Sequence, residues 1–263
     1  MRKILIFVLM VPVVFLFIIG LVLFDYIYFP LISSKAEKVA ESYLEEKYNE
    51  KFAIDDSSFS KPLGDDLGTY RIDSHPSKKP ALTIRVEVTE DMEPISDDYL
   101  DMKWRAELNE EFGLVYKALY GNIENYSYMV NVSFPDEAYS NFNISSTYQE
   151  IFQQEHHNIG NIIFANVILD SFIEMDQQLG KAYELIQHLK EQELEYFSID
   201  INYYNENINI SSEDKKLAYN DFSNRHLDQR YYVFRFSFDS RDEESKRRLD
   251  AIESANDLQE YLQ

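Results

Sequence analysis

The chain has no cysteine, and glycine and proline number only seven each among 263 residues. Without a thiol there is no thiol nucleophile, no disulfide and no cysteine to accept a lipid. Small domains in an oxidising extracellular space often carry disulfides, so their absence fits a bacterial surface protein better than an animal one. No glycine brackets a serine as G-x-S-x-G, the strained elbow that exposes a hydrolase nucleophile. G-x-G-x-x-G and G-x-x-x-x-G-K are also missing, which excludes phosphate cradles of those kinds. Basic residues are scarce: 25 Lys and Arg stand against 47 Asp and Glu, a formal net charge of −22. Binding nucleic acid means neutralising phosphates with Lys and Arg, so no nucleic-acid partner is expected. The same balance disfavours docking onto anionic lipid or an anionic wall polymer. It suits a basic protein or peptide, or divalent cations. Solubility of a surface domain explains the acidity equally simply.

What is present first is an unbroken, uncharged apolar run from Ile4 to Phe24, preceded by Met1-Arg2-Lys3 and followed by Asp25-Tyr26-Ile27-Tyr28-Phe29-Pro30. A membrane-crossing helix needs ~20 such residues. A cleavable signal has a shorter apolar region and a small-x-small site, and the bulky residues after Phe24 do not offer one. Arg2 and Lys3 predict an N-in, C-out orientation, with Tyr26 and Tyr28 at the far interface. Residues 1–30 therefore read as an uncleaved signal anchor in the cell membrane, single-pass, with an extracytoplasmic C-terminal portion.

That portion carries 20 Tyr and 18 Phe with clear apolar periods, a composition that folds rather than remaining disordered. Ser34-Lys-Ala-Glu37 has capping-box form, and Ala36, Val39, Ala40, Tyr43, Leu44 and Tyr48 then share one helical face. Phe52–Phe59 and Thr69–Ile72 read as strands around Gly64-Asp-Asp-Leu-Gly68 turn chemistry. In Ala81–Glu90, Leu82, Ile84, Val86 and Val88 alternate with Thr83, Arg85, Glu87 and Thr89, the clearest strand of all. A helix is predicted from Ser96 to Gly121 on Leu100, Trp104, Leu108, Phe112, Val115 and Leu119. Beyond it come a strand over Tyr126–Phe134 and a short helix over Ser146–Gln154; Ile162–Leu169 is apolar on both faces, so periodicity does not separate strand from helix, and the capping box after it favours a strand. Ser171-Phe-Ile-Glu174 caps a helix carrying Met175, Leu179, Ala182, Ile186 and Leu189. A strand follows at Phe197–Tyr203, then a polar insertion over Asn205–Arg230 with one short helix after Ser211. Tyr232–Phe238 forms the last strand. Ser240-Arg-Asp-Glu243 caps a final helix burying Leu249, Ile252, Ala255, Leu258 and Leu262. Strands in runs mixed with helices predict an α+β fold, mainly antiparallel sheets covered by helices. The expected division is a domain at residues 31–121 and a second at 122–263.

The run Tyr43-Leu44-Glu-Glu-Lys47-Tyr48-Asn-Glu-Lys-Phe52, placed after an anchor and before strands, resembles membrane-anchored Firmicutes proteins of unknown function. Their helix-plus-sheet arrangement is similar to PepSY-type domains. The resemblance covers about residues 1–90. It implies a Gram-positive envelope protein and supplies no catalytic residues.

Few residues mark chemistry. His156-His157 are adjacent, so on a helix they point about 100° apart and do not share an ion; they read as a solvated helix end. His75, His188 and His226 are isolated and read as surface residues. Asp55-Asp56 and Asp65-Asp66 lack the alternating oxygen ligands and closing Glu of a calcium loop. Asp97, Asp98 and Asp101 read as first-turn residues that complement a helix dipole. No cofactor or metal is expected. Trp104 reads as core. Asn125, Asn131, Asn143 and Asn209 form N-x-S sequons, which matter only in a eukaryotic secretory host. Tyr203-Tyr204 and Tyr231-Tyr232 place aromatics on both faces of neighbouring strands. They are the candidate interaction surface, since Tyr is enriched at protein interfaces.

The expected function is a non-catalytic extracytoplasmic binding module, of immunity or regulatory type. The alternatives are a PepSY-like inhibitor or regulator of an envelope enzyme, and an envelope hydrolase with an unmarked carboxylate site.

Overall fold

Leu82, Ile84, Val86 and Val88 are all buried, whereas Thr83 and Arg85 between them are exposed. That alternation fixes the first of two sheets. The computed structural model describes residues 29–62, 67–121, 126–155, 158–169, 175–194, 196–205, 211–214, 217–226, 232–240 and 243–263. Ile4–Phe24, Asp65-Asp66, His156-His157, Ser171–Glu174 and Tyr231 lie outside the described residues. Among the described residues, no helix is long and apolar enough to cross a membrane. The chain divides into two units, Met1–Met102 and Lys103–Gln263, and both mix helices with antiparallel strand pairs.

In the first unit, helix α1 (Phe29–Tyr48) leads into strands β1 (Phe52–Ser60), β2 (Thr69–Pro76), β3 (Ile84–Thr89) and β4 (Pro94–Asp97). They form an antiparallel meander in the order β1-β2-β3-β4. Ala36, Ala40, Leu44 and Tyr48, four residues apart, form the buried stripe of α1, which meets all four strands. Tyr70, Ile72, Ile84, Val86 and Val88 complete the core on the sheet side. The helix is already formed at Phe29 and its buried face extends through Ser33, so Ser34 lies inside the helix and is not its cap. Asn49 ends it in the left-handed region at φ 51°, its N–H donating to Glu45 O at 2.9 Å, as helix C-termini commonly do. The other face of the sheet is polar. It carries Arg71 on Glu87 at 3.4 Å, Arg85 on Asp73 at 2.9 Å and His75 on Asp55 at 2.9 Å.

Strand β4 has no counterpart in the elements expected from the sequence. Val86 pairs with Asp97 and Glu87 with Ser96, which holds the segment extended where a helix start is expected. Helix α2 (Tyr99–Tyr120) therefore begins three residues late. It crosses the division between the units, and the expected boundary at Gly121 moves back to Lys103. The reason lies in its side chains. Trp104 Nε1 donates to Ser146 O at 3.0 Å, and Tyr116 stacks on Tyr128 with ring centroids 4.9 Å apart. The buried stripe is Trp104, Leu108, Phe112, Tyr116 and Tyr120; Tyr116 and Tyr120 take the places expected for Val115 and Leu119. Gly121, at φ +79°, ends the helix as expected, its N–H on Lys117 O at 3.0 Å.

The second unit continues with β5 (Tyr126–Ser133), α3 (Asp136–Asn141), α4 (Tyr148–Glu155), β6 (Gly160–Leu169), α5 (Met175–Glu191), β7 (Tyr196–Asn205), α6 (Tyr219–Arg225), β8 (Tyr232–Asp239) and α7 (Glu243–Ala251), then a 3₁₀ helix at Ala255–Tyr261. Its sheet runs β5-β6-β7-β8. The outer pairs are antiparallel and the central β6–β7 pair is parallel. The parallel pair departs from a purely antiparallel sheet because α5 carries the chain back from the end of β6 to the start of β7, the crossover such pairing requires. On one face, Phe197, Ile199, Ile201 and Tyr203 are buried. There Tyr120 and Tyr203 hydroxyls meet at 3.2 Å, and Lys181 of α5 lies over the Tyr120 ring. On the other face, α6 buries Phe222 against Tyr204 and Ile168. The single final helix expected from the sequence is two helices. The Asp257 carboxylate accepts from the N–H groups of Glu253 at 3.0 Å and Ser254 at 2.8 Å and starts the second.

Candidate functional site

Tyr203 and Tyr204 alternate in direction along β7, as expected, but neither reaches solvent: they are 1% and 0% exposed. Helices cover this part of the sheet on both faces, so the second aromatic of the pair is buried as fully as the first. Tyr204 stands edge-on to Phe222 at 5.2 Å, and its hydroxyl reaches Asn166 Oδ1 at 3.4 Å. Asn166 also accepts from Asn202 at 3.1 Å and donates to Ser223 Oγ at 3.0 Å, forming a buried polar network under α6. The expectation that Tyr203 and Tyr204 form an open interaction surface is therefore corrected. Tyr232 is placed by its backbone opposite Tyr204, and Tyr231 lies outside the described residues.

The densest ionic cluster centres on Asp97 in the first unit. Register on β3 brings this carboxylate under the C-terminal end of α1. Its Oδ2 accepts from Tyr43 OH at 2.9 Å and Lys47 Nζ at 2.6 Å. Its Oδ1 accepts from Tyr48 OH at 2.6 Å and from the Tyr99 N–H at 3.1 Å. Lys47 Nζ also donates to Tyr43 OH at 3.0 Å, the two residues being neighbours on one helical face. Tyr99 in turn packs edge-on against Tyr48 at 4.8 Å and donates its hydroxyl to Glu50 at 2.6 Å. The Asp97 side chain has no exposed surface, whereas Lys47 is 43% exposed.

A tyrosine–lysine–carboxylate group invites an acid–base reading, and the electrostatics decide against it. Burial alone would raise the Asp97 carboxyl, but the Lys47 ammonium and the two phenols outweigh it and hold the group below its ordinary value. Burial and then the Asp97 charge push the Tyr48 phenol far up, and burial also raises Tyr43. Burial opposes the Lys47 charge, yet Asp97 and the phenols keep it raised. General acid–base catalysis works best with a pKa near the working pH, and here every member is moved away from it. The cluster binds the end of α1 to β4 and to the first turn of α2.

The remaining candidates disperse. Asp98 accepts the Arg85 N–H at 2.6 Å, and burial raises its carboxyl. Asp101 sits in the first turn of α2. His75 is held by Asp55. His188 stands edge-on to the Phe112 ring. His226, expected at the surface, is buried beside the Phe222 ring with Nε2 3.6 Å from Asp214. Among the described residues, no group of three or more His, Cys, Asp or Glu is placed to hold a metal ion.

Strand edges separate the two units. In the second, Asn109 of α2 acts as a strand partner for β5: its amide donates to Val130 O and accepts from Val130 N–H, both at 2.8 Å. On the opposite edge, Arg235 of β8 exchanges backbone bonds with Gln263 at 3.0 and 2.8 Å. In the first unit, β4 is short and begins at Pro94, which blunts that edge. Strand β1 is nine residues long and pairs with β2 alone. The Ser77 N–H on Lys51 O and the Glu90 N–H on Gly68 O, both 2.8 Å, fix which backbone groups face inward. By alternation, those of Phe52, Ile54, Ser57 and Phe59 point away from β2. A bulge at Asp55 separates the two pairs. The Ser57 N–H is taken by its neighbour Asp56 at 2.8 Å, and the Ser57 hydroxyl donates to Glu37 at 2.6 Å. Nothing in the local sequence FAIDDSSFS distinguishes an edge strand from an inner one; the neighbour order had to be seen.

No protein-family model and no curated protein matches the chain. Among solved structures, the chain is similar to the crystal structure of a DUF5037 family protein from Ruminococcus gnavus, with TM-score 0.50 and 14% identity over 84% of this chain and 100% of that one. At that identity the likeness is one of fold alone.

Proposed function

We propose that this chain is a single-pass membrane protein whose extracytoplasmic α+β units bind a partner and perform no catalysis. The observation that carries the reading is the Asp97 cluster. Phenol, ammonium and carboxylate converge there, and each proton affinity is moved away from neutrality, which is the behaviour of a structural fastening. The apolar run Ile4–Phe24 behind Arg2-Lys3 supports the tether, and the net charge of −22 supports a basic protein or peptide as partner. A second reading, a PepSY-like regulator of an envelope enzyme, draws support from the single helix α1 meeting a short antiparallel sheet.

The test is chemical crosslinking on intact cells followed by carbonate extraction. The full chain should remain with the membrane, be degraded by protease added to protoplasts, and carry a basic protein or peptide crosslinked to it. A shortened form released near residue 30, or an absence of any crosslinked partner, overturns the reading.

A further inference from the structure

We infer that the free edge of β1 is the recognition element, and that it takes an extended segment of alternating basic and apolar residues as an added antiparallel strand. This deepens the binding reading above and rests on it. Among the described residues the outer edge of β1 has no backbone partner from another element, whereas β5 is bonded at Val130 by Asn109, β8 at Arg235 by Gln263, and β4 is short and starts at Pro94. An exposed row of backbone N–H and C=O groups is a template for another strand, and peptide recognition by strand addition uses such edges.

The charge selects the occupant. Strand β1 contains Asp55 and Asp56 and no Lys or Arg. Asp55 is 43% exposed on the polar face of the sheet, and Asp56 is exposed. Two copies of β1 would set these carboxylates against each other, because like charges directly opposite are destabilising. A strand with Lys or Arg on the polar face meets them favourably. The outward-facing backbone groups of Ser57 and Phe59 belong to residues whose side chains point towards the helix-covered face, since they pair with Ile72 and Tyr70. Residues of the added strand that hydrogen-bond to β1 therefore share that face and are apolar, and the basic residues between them fall beside Asp56. The Asp56 carboxylate meanwhile occupies the Ser57 N–H. A carbonyl of the added strand takes that donor over and frees Asp56 for the incoming cation.

The full chain in lipid nanodiscs is titrated with a capped peptide of alternating Lys and Val, and with two versions N-methylated on every Val or on every Lys. Methylating the Val nitrogens removes the N–H groups aimed at β1 and should weaken binding at least about tenfold, whereas methylating the Lys nitrogens should change it by no more than about twofold. Ser57→Pro removes an outward N–H without touching the β2 ladder, a tolerated place for proline, and should weaken the unmodified peptide similarly. Asp55→Asn with Asp56→Asn should lower affinity at 0.01 M salt and leave little further salt dependence. Equal effects of the two methylations, or no peptide binding at 0.01 M salt, overturn the inference. If Ser57→Pro proves unfolded by circular dichroism, the methylation pair and the Asn variants decide alone. On cells, a partner crosslinked equally to wild type and Ser57→Pro overturns the edge while the binding reading stands. No partner in either removes the binding reading itself.

Discussion

Each unit builds a four-stranded sheet, but they treat its periphery in opposite ways. The second sheet is covered on both faces at Tyr203-Tyr204 and bonded at one point on each edge, Val130 by Asn109 and Arg235 by Gln263, and it buries Asn166 and Asn202 in a polar network. The first sheet has one covered face. Its other face is laced by Arg71–Glu87, Arg85–Asp73 and His75–Asp55, and among the described residues the long edge of β1 stays open. A sealed sheet has little left to offer a partner. The open strand edge lies in the smaller unit, although the larger unit carries most of the core.

Three substitutions break or sharpen that comparison. Trp104→Ala should cost about 4 kcal/mol, the usual range for emptying a large buried aromatic site. Trp104 is fully buried, donates to Ser146 and packs edge-on against Phe134. Hydrogen exchange should then lose protection in β5 and β6 first; earlier loss in β2 and β3 would mean that α2 belongs with the first unit after all.

Asp97→Asn should cost about 3 kcal/mol at neutral pH, because Lys47 and three donors lose a buried charge-assisted acceptor, a loss moderated by the exposure of Lys47. Its pH dependence has a definite sign. The folded value of Asp97 lies below the unfolded one, so its contribution is complete above about pH 4, the ordinary carboxyl value, and is lost as pH falls through the folded value. Urea unfolding of wild type and variant should therefore converge under strong acid. A gap that widens with falling pH would reverse the assignment of charge at this cluster.

Asn109→Ala should cost about 2 kcal/mol by leaving the Val130 N–H and C=O without their partner. It should also convert a sealed edge into an open one. Sedimentation should show new self-association, which Asn109→Ala shares with no surface substitution on the first sheet. A variant that stays monomeric would show that Asn109 is dispensable for guarding this edge.

Local pattern carried much of this architecture. Ile84, Val86 and Val88 declare their strand by alternation, Gly121 declares a helix end, and Ile162–Leu169 is a strand as its context suggested. What failed was whatever depended on partners distant in the chain. Asp97 looks like a helix-start aspartate until Tyr43, Lys47 and Tyr48 are brought to it from some fifty residues away. Tyr203-Tyr204 read as two-faced, which is correct for the strand. Their burial depends on Tyr120 and on Phe222 from the Asn-rich insertion, and neither position follows from alternation in β7. Val115 and Leu119 outrank Tyr116 and Tyr120 on hydrocarbon content, which ranks a tyrosine too low when its ring stacks. The open edge of β1 had no sequence signature at all, since strand order is a property of the whole sheet.

The order in which the strands pair also sets a schedule for folding. In the first sheet every strand bonds to its immediate successor, so each contact closes a short loop and can form as soon as the next strand exists. In the second, β6 must wait for the whole of α5 before β7 can lie parallel beside it. Non-local pairing of that kind is slow, because the loop must close before any contact offsets its entropy. The unit nearest the N-terminus is thus both first made and first able to close, and it can stand folded while the β6–β7 pair is still being assembled.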